Sequence, residues 1–66
     1  MRVRVNGEDR ELGEGATLES LVSELGLGRR KIAVELNADV VSRERWPAVE
    51  LRDADRVEIV QFVGGG

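Results

Sequence analysis

The 66-residue chain has no cysteine, no histidine and no tyrosine, a single proline, and only Trp46 and Phe62 as aromatic residues. Without thiol or imidazole, its side chains cannot supply thiolate nucleophiles, imidazole acid–base catalysis or the common zinc sites. The lack of cysteine also excludes a disulfide staple, so the fold has to rest on a packed apolar core. Positive charge is in deficit: ten Lys and Arg stand against thirteen Asp and Glu, a formal net charge of -3. That balance argues against a general nucleic-acid binder, which needs a basic face to neutralise phosphates. No apolar run approaches the ~20 residues of a membrane span, and Met1-Arg2-Val3-Arg4 does not open as a secretory signal does. The expected setting is cytoplasmic, with no membrane partner, no metal and no bound cofactor.

What is present suffices for one small domain and not for two: ten Val, seven Leu and two Ile to fill its interior. Val3 and Val5 alternate with Arg2 and Arg4, the period of a half-buried strand. Asn6-Gly7 predicts a tight hairpin, since both central residues of a type I′ turn need positive φ. The charged return over residues 8–12 suits an edge strand. Thr17 is the expected N-cap of a helix of two to three turns, whose Leu18, Leu21, Val22 and Leu25 form one apolar stripe. Glu19 lies in its first turn, Gly26 fits the left-handed position past its end, and Leu27 supplies the accompanying apolar contact. Ile32, Val34 and Leu36 predict a second half-buried strand, Asn37-Ala38-Asp39 a turn, and Val40-Val41 a short strand. Ser42 starts a single helical turn through Trp46 that Pro47 is expected to stop. After the turn Asp53-Ala54-Asp55 the last strand spans residues 57–63. The economical arrangement is α+β, with one helix laid on one face of a mixed sheet of four to five strands.

Two features bear on function. On the last strand Val57 and Ile59 share one face, Val60 and Phe62 the other. If the helix covers the first face, Val60 and Phe62 project from the bare side, where an apolar patch marks a partner surface; the alternative is a small core of Phe62 with Trp46, Pro47 or Leu51. Val63 continues the apolar character up to Gly64, Gly65 and Gly66. Three glycines contribute no packing and are costly to order. They form a thread without side chains, thin enough to enter a narrow channel and able to carry a terminal carboxylate into another protein's active site. The hydroxyls of Thr17, Ser20, Ser23 and Ser42 have no histidine base, so a side-chain nucleophile is not expected. The Gly66 carboxylate is then the candidate reacting group: activated as an acyl-adenylate and attacked by a sulfur donor, it becomes a thiocarboxylate. The division is residues 1–63 as the domain and 64–66 as a flexible tail.

With these elements in order, the sequence resembles the ThiS family of sulfur carriers, of ubiquitin-like β-grasp fold. The resemblance covers essentially the whole chain. Its pieces are Val5-Asn6-Gly7-Glu8, Thr17-Leu18 with residues 21–25, Ala33-Val34-Glu35-Leu36-Asn37, and Val40-Val41-Ser42-Arg43 with Trp46. Asp55-Arg56-Val57-Glu58-Ile59-Val60 then leads to the glycine end. Two positions depart from the family: Asp53-Ala54-Asp55 stands where Asp-Gly-Asp is common, and Gly64 adds a third glycine.

The resemblance implies a carrier and not an enzyme. A ThiF-like adenylyltransferase would consume ATP to activate Gly66. A cysteine desulfurase or persulfide system would supply sulfur, and a ThiG-like thiazole synthase would take it for the thiazole of thiamine. Gly65 and Gly66 are then the reactive end, with Val60, Phe62, Val63 and Gly64 facing the partner. Arg29, Arg30 and Lys31, the basic run, read as a solvated loop or as a contact for an acidic partner. The small subunit of molybdopterin synthase, a ubiquitin-like protein modifier and a plain binding module remain as alternatives.

Overall fold

Alternation of valine and arginine produces the first strand, β1 (Arg2–Val5), with both valines buried and both arginines exposed. The structure, a computed structural model, describes residues 1–62. Asn6 and Gly7 take φ of 49° and 82°, the left-handed pair that a two-residue hairpin turn requires. The chain returns as β2 (Glu8–Glu11), antiparallel to β1, with Arg2 opposite Glu11 and Arg4 opposite Asp9. Both arginines reach those partners, at 3.1 and 3.4 Å. Such exposed pairs contribute little stability; they keep an edge strand charged against unwanted pairing.

The helix, α1 (Leu18–Glu24), has seven residues, the short end of the expectation. Thr17 caps it: the Ser20 amide donates to Thr17 Oγ1 at 3.1 Å, and the Thr17 amide donates to Ser20 Oγ at 2.9 Å. This reciprocal box uses serine where Glu or Gln is usual. At the other end Leu25 is the cap residue and only half-buried, so the buried stripe is Leu18, Leu21 and Val22. Gly26, at φ 75°, lets the Leu27 amide donate to Val22 O and the Gly26 amide to Ser23 O, both at 3.0 Å. Those two bonds make the Schellman cap that Gly26-Leu27 predicts.

The chain then forms β3 (Ile32–Leu36), turns at Asn37-Ala38 and pairs back as β4 (Asp39–Val41). Arg43–Ala48 is a 3-10 helix that runs through Pro47, not a turn stopped by it. Proline's fixed φ of about -65° fits a 3-10 helix, and in so short a segment its missing N–H forfeits a single bond. The final strand, β5 (Arg56–Gln61), starts one residue before its expected position and ends at Gln61, with Phe62 just past it. Val63 and the glycines 64–66 lie outside the described residues. The sheet order is β2-β1-β5-β3-β4, with β1 and β5 parallel and every other pair antiparallel. The last strand in sequence is therefore the middle of a five-stranded mixed sheet. The helix, with Trp46 and Leu51, buries one face of that sheet over Val3, Val5, Val34 and Val57.

The turn before β5 is held by the Asp55 amide donating to Arg52 O at 3.1 Å and the Arg52 amide donating to Asp55 Oδ2 at 2.8 Å. Ala54 at its third position has φ 73°, a conformation that costs an L-residue ~1–2 kcal/mol. Ala54→Gly relieves this strain, while the freer unfolded chain offsets part of the gain. The expected outcome is a rise in unfolding free energy of about 0.5–1 kcal/mol, read from urea denaturation. An unchanged or lower midpoint would show the turn to be unstrained.

Candidate functional site: the open face of the central strand

Because β5 is central and α1 covers one face, alternation leaves Arg56, Glu58, Val60 and Phe62 on the other. Val60 is 51% exposed and Phe62 58% exposed. Of the alternative partners, Trp46 and Leu51 lie in the core, of which Phe62 is neither a member nor a packed neighbour, and Pro47 is exposed. Strand register supplies neighbours that alternation alone does not name. Ala33 lies directly opposite Val60, and Glu35 directly opposite Glu58. Val40 of β4 faces Glu35 and is 72% exposed. The open face thus carries Val60 and Phe62 with Ala33 beside Val60, while Val40 lies apart, across Glu35. Glu35 and Glu58 border the apolar area, set opposite each other. Like charges directly across a sheet are destabilising, so fold stability does not account for the Glu35–Glu58 pair.

Phe62 marks the far end of this face, and its amide donates to Lys31 O at 3.0 Å. Residues 28–31, the basic run and the glycine before it, are braced from the other side. Arg43 Nη1 donates to Gly28 O at 2.7 Å and Nη2 to Arg30 O at 2.6 Å. Its guanidinium lies 4.5 Å from the centre of the Trp46 ring, and Trp46 Nε1 donates to Val41 O at 2.9 Å. The Arg43-x-x-Trp46 pattern is therefore a brace that fixes the loop anchoring the end of β5. The side chains of Arg29, Arg30 and Lys31 remain exposed. Of the predicted site residues, the structure brings Val60 and Phe62 together on one surface. Val63, Gly64, Gly65 and Gly66 fall outside the described residues. Among the described residues no group of three acidic, histidine or cysteine side chains is placed to hold a metal, and no helix is long and apolar enough to cross a membrane.

A family model described as the ThiS family matches residues 3–66. The chain belongs to the ThiS family. This is a family of sulfur carriers in thiamine biosynthesis with a ubiquitin-like fold. The sulfur carrier protein ThiS of Bacillus subtilis (strain 168) is 37% identical over 65 residues, covering 97% of this chain and 98% of that protein. The crystal structure of the thiamine biosynthesis protein ThiS from Geobacter metallireducens superposes with a TM-score of 0.84 at 35% identity, each chain covered completely. A thiazole synthase of Paramagnetospirillum magneticum is 42% identical over all 66 residues, and a thiazole synthase of Magnetococcus marinus 46%. The chain spans only 20% of the length of each of those two proteins. A ThiS-type segment is thus one fifth of a longer polypeptide in these relatives.

Sequence reasoning missed three participants. Val40 and Ala33 join the ThiS open face through register, which no local pattern specifies. Asn6, noted only as a turn former, reaches across to β5 with its side chain.

Proposed function

We propose that the chain carries sulfur on the carboxylate of Gly66, activated by an adenylyltransferase that docks on the open face of the sheet. The supporting observation is the exposed apolar pair Val60 and Phe62 on the central strand, in a ThiS-family chain whose sequence runs from that strand into three glycines. In the first step a Gly66 carboxylate oxygen attacks the α-phosphorus of ATP and pyrophosphate leaves. Sulfide then adds to the acyl carbon and expels AMP, leaving the thiocarboxylate and a proton. A cysteine persulfide serves as donor in place of sulfide when a thiol afterwards reduces the acyl disulfide. The acceptor is a thiazole synthase, a pairing supported by the two relatives of that name that contain a matching segment. The chain itself is the substrate of these partners and not their catalyst, and the chemistry belongs in the cytoplasm with the ATP it consumes.

Incubation with ATP, the adenylyltransferase and sulfide should add to the intact mass one oxygen-to-sulfur exchange, located at Gly66. Mass-shifted lysine adducts in place of that exchange would identify a protein modifier, and no change at all would remove the carrier reading. The docking surface has its own test. Phe62→Ala should weaken affinity for the adenylyltransferase about 10–30-fold, the scale of an aromatic anchor at an interface. Its exposed position predicts a stability change within about 0.5 kcal/mol. Normal affinity would exclude this face as the docking surface. The Glu35 and Glu58 carboxylates predict a partner surface carrying Lys or Arg around an apolar centre, and hence binding that weakens with added salt.

A further inference from the structure

Asn6 is the first residue of the β1–β2 turn, with the left-handed φ of 49° that asparagine tolerates. There the backbone leaves β5: its last bond is the Asn6 amide donating to Val57 O at 2.9 Å. The side chain continues where the main chain departs. The Ile59 amide donates to Asn6 Oδ1 at 2.7 Å, and Asn6 Nδ2 donates to Ile59 O at 3.2 Å. One carboxamide, with its donor and acceptor side by side, stands in for the next peptide group of β1.

The parity of the ladder shows what this contact holds. The Asn37 amide donates to Arg56 O and the Phe62 amide to Lys31 O, so even-numbered residues of β5 bond toward β3. Odd-numbered Val57 and Ile59 bond toward β1 and Asn6, and Gln61 turns the same way, past the point where the hairpin has left. Among the described residues, the Asn6 carboxamide is the last support on that side of the central strand. Beyond Ile59 the described part of β5 is held from the β3 side alone.

We propose that Asn6 is a positioning residue for the carrier reaction: its carboxamide fixes the end of β5, the strand from which the sequence continues to Gly66, in the geometry that a partner docks on. This rests on the reading of Gly66 as the activated end. Without the clamp, fewer molecules hold β5 in the geometry that docks, and apparent affinity falls in proportion to that fraction.

Asn6→Gly is the informative variant, because glycine keeps the positive φ of the turn and removes only the carboxamide. With the adenylyltransferase, ATP and sulfide, KM for the variant carrier should rise about tenfold while kcat stays within about twofold. Asn6→Asp should also raise KM, since a carboxylate cannot donate to the Ile59 carbonyl. Wild-type KM in either variant, assayed well below its melting temperature, would overturn the proposal even if stability had fallen. A second measurement stands apart from activation: hydrogen exchange of the Ile59 amide should quicken in Asn6→Gly while the Val34 amide keeps its protection. Unchanged Ile59 exchange would show that no clamp operates. Failure of the wild-type protein to be converted would instead count against the Gly66 reading and leave the exchange result to decide the clamp.

Discussion

Leu21→Ala should lower the unfolding free energy by about 2–5 kcal/mol, the range for emptying a buried leucine site. Leu21 is 1% exposed and sits with Leu18 and Val22 on the face that α1 turns toward Val3, Val34 and Val57. A seven-residue helix cannot stand by its own hydrogen bonds and is held by this packing. The chain cannot compensate elsewhere, because the described residues bury only eleven apolar side chains and have no disulfide. Small domains lie toward the lower end of the ~5–15 kcal/mol that folded proteins have in reserve. The variant should therefore show a measurable unfolded population at room temperature by circular dichroism, with its urea midpoint sharply reduced. Leu25→Ala, at the half-buried cap residue, should cost clearly less. Equal losses at the two positions, or a loss at Leu21 below about 1 kcal/mol, would contradict the assignment of the helix face.

That face was legible in the sequence because local chemistry and burial agree there. Thr17 caps, Gly26 and Leu27 terminate, and the leucines between them repeat at helical spacing, so each signal supports the others. The Asn6-Gly7 hairpin was legible for the same reason: its turn demands residues that the sequence supplies. Sheet order was not. Alternation in residues 56–61 tells which side chains share a face, but not that β5 lies between β1 and β3 and runs parallel to β1. Ala38 gave no warning of its positive φ, and Ala54 only through the glycine common at its place in the family. Alanine has no preference for that region, and the turn is imposed by Asp53, Asp55 and Asn37. The Asn37 side chain donates to Asp55 Oδ1 and accepts from the Arg56 amide, both at 3.0 Å. Pro47 misled for the opposite reason, since its breaking rule applies to α-helices and the segment is 3-10.

The open face divides in the same way. Val60 and Phe62 could be placed from strand period alone once the helix was assigned to one side. Ala33, Glu35 and Val40 become its companions only through register, a long-range property set by how β3 pairs with both neighbours. The Asn6 carboxamide is more remote still: it spans 53 positions in sequence to reach Ile59. A side chain that replaces a peptide group leaves no periodic trace. The glycine end was conspicuous by composition, and what recommends it over the thirteen Asp and Glu carboxylates is access: a run without side chains fits a channel too narrow for the rest of the chain.

Removal of Gly66 should therefore abolish conversion to the thiocarboxylate while leaving the fold as it was. The eleven buried apolar residues among those described run from Val3 to Val57, and glycine adds no apolar side chain to them. Stability should change by less than about 0.5 kcal/mol, as for substitutions away from core, cap and turn. The truncated chain still ends in a glycine carboxylate, now that of Gly65, so the chemistry of the group is unchanged and only its reach differs. One extended residue spans at most ~3.6 Å. Misplacing a reacting atom by ~1 Å can already cost on the order of 100-fold in rate. A shortfall several times larger takes adenylation below detection, unless β5 itself gives way to lengthen the thread. Unaltered urea unfolding together with lost pyrophosphate release separates reach from folding in one preparation. Retained conversion would mean that the partner tolerates a tail of variable length, and the case for a defined final residue would fall. A lowered melting point would mean instead that the last residue contributes to the domain, contrary to a division of labour between a β-grasp body and a reactive end.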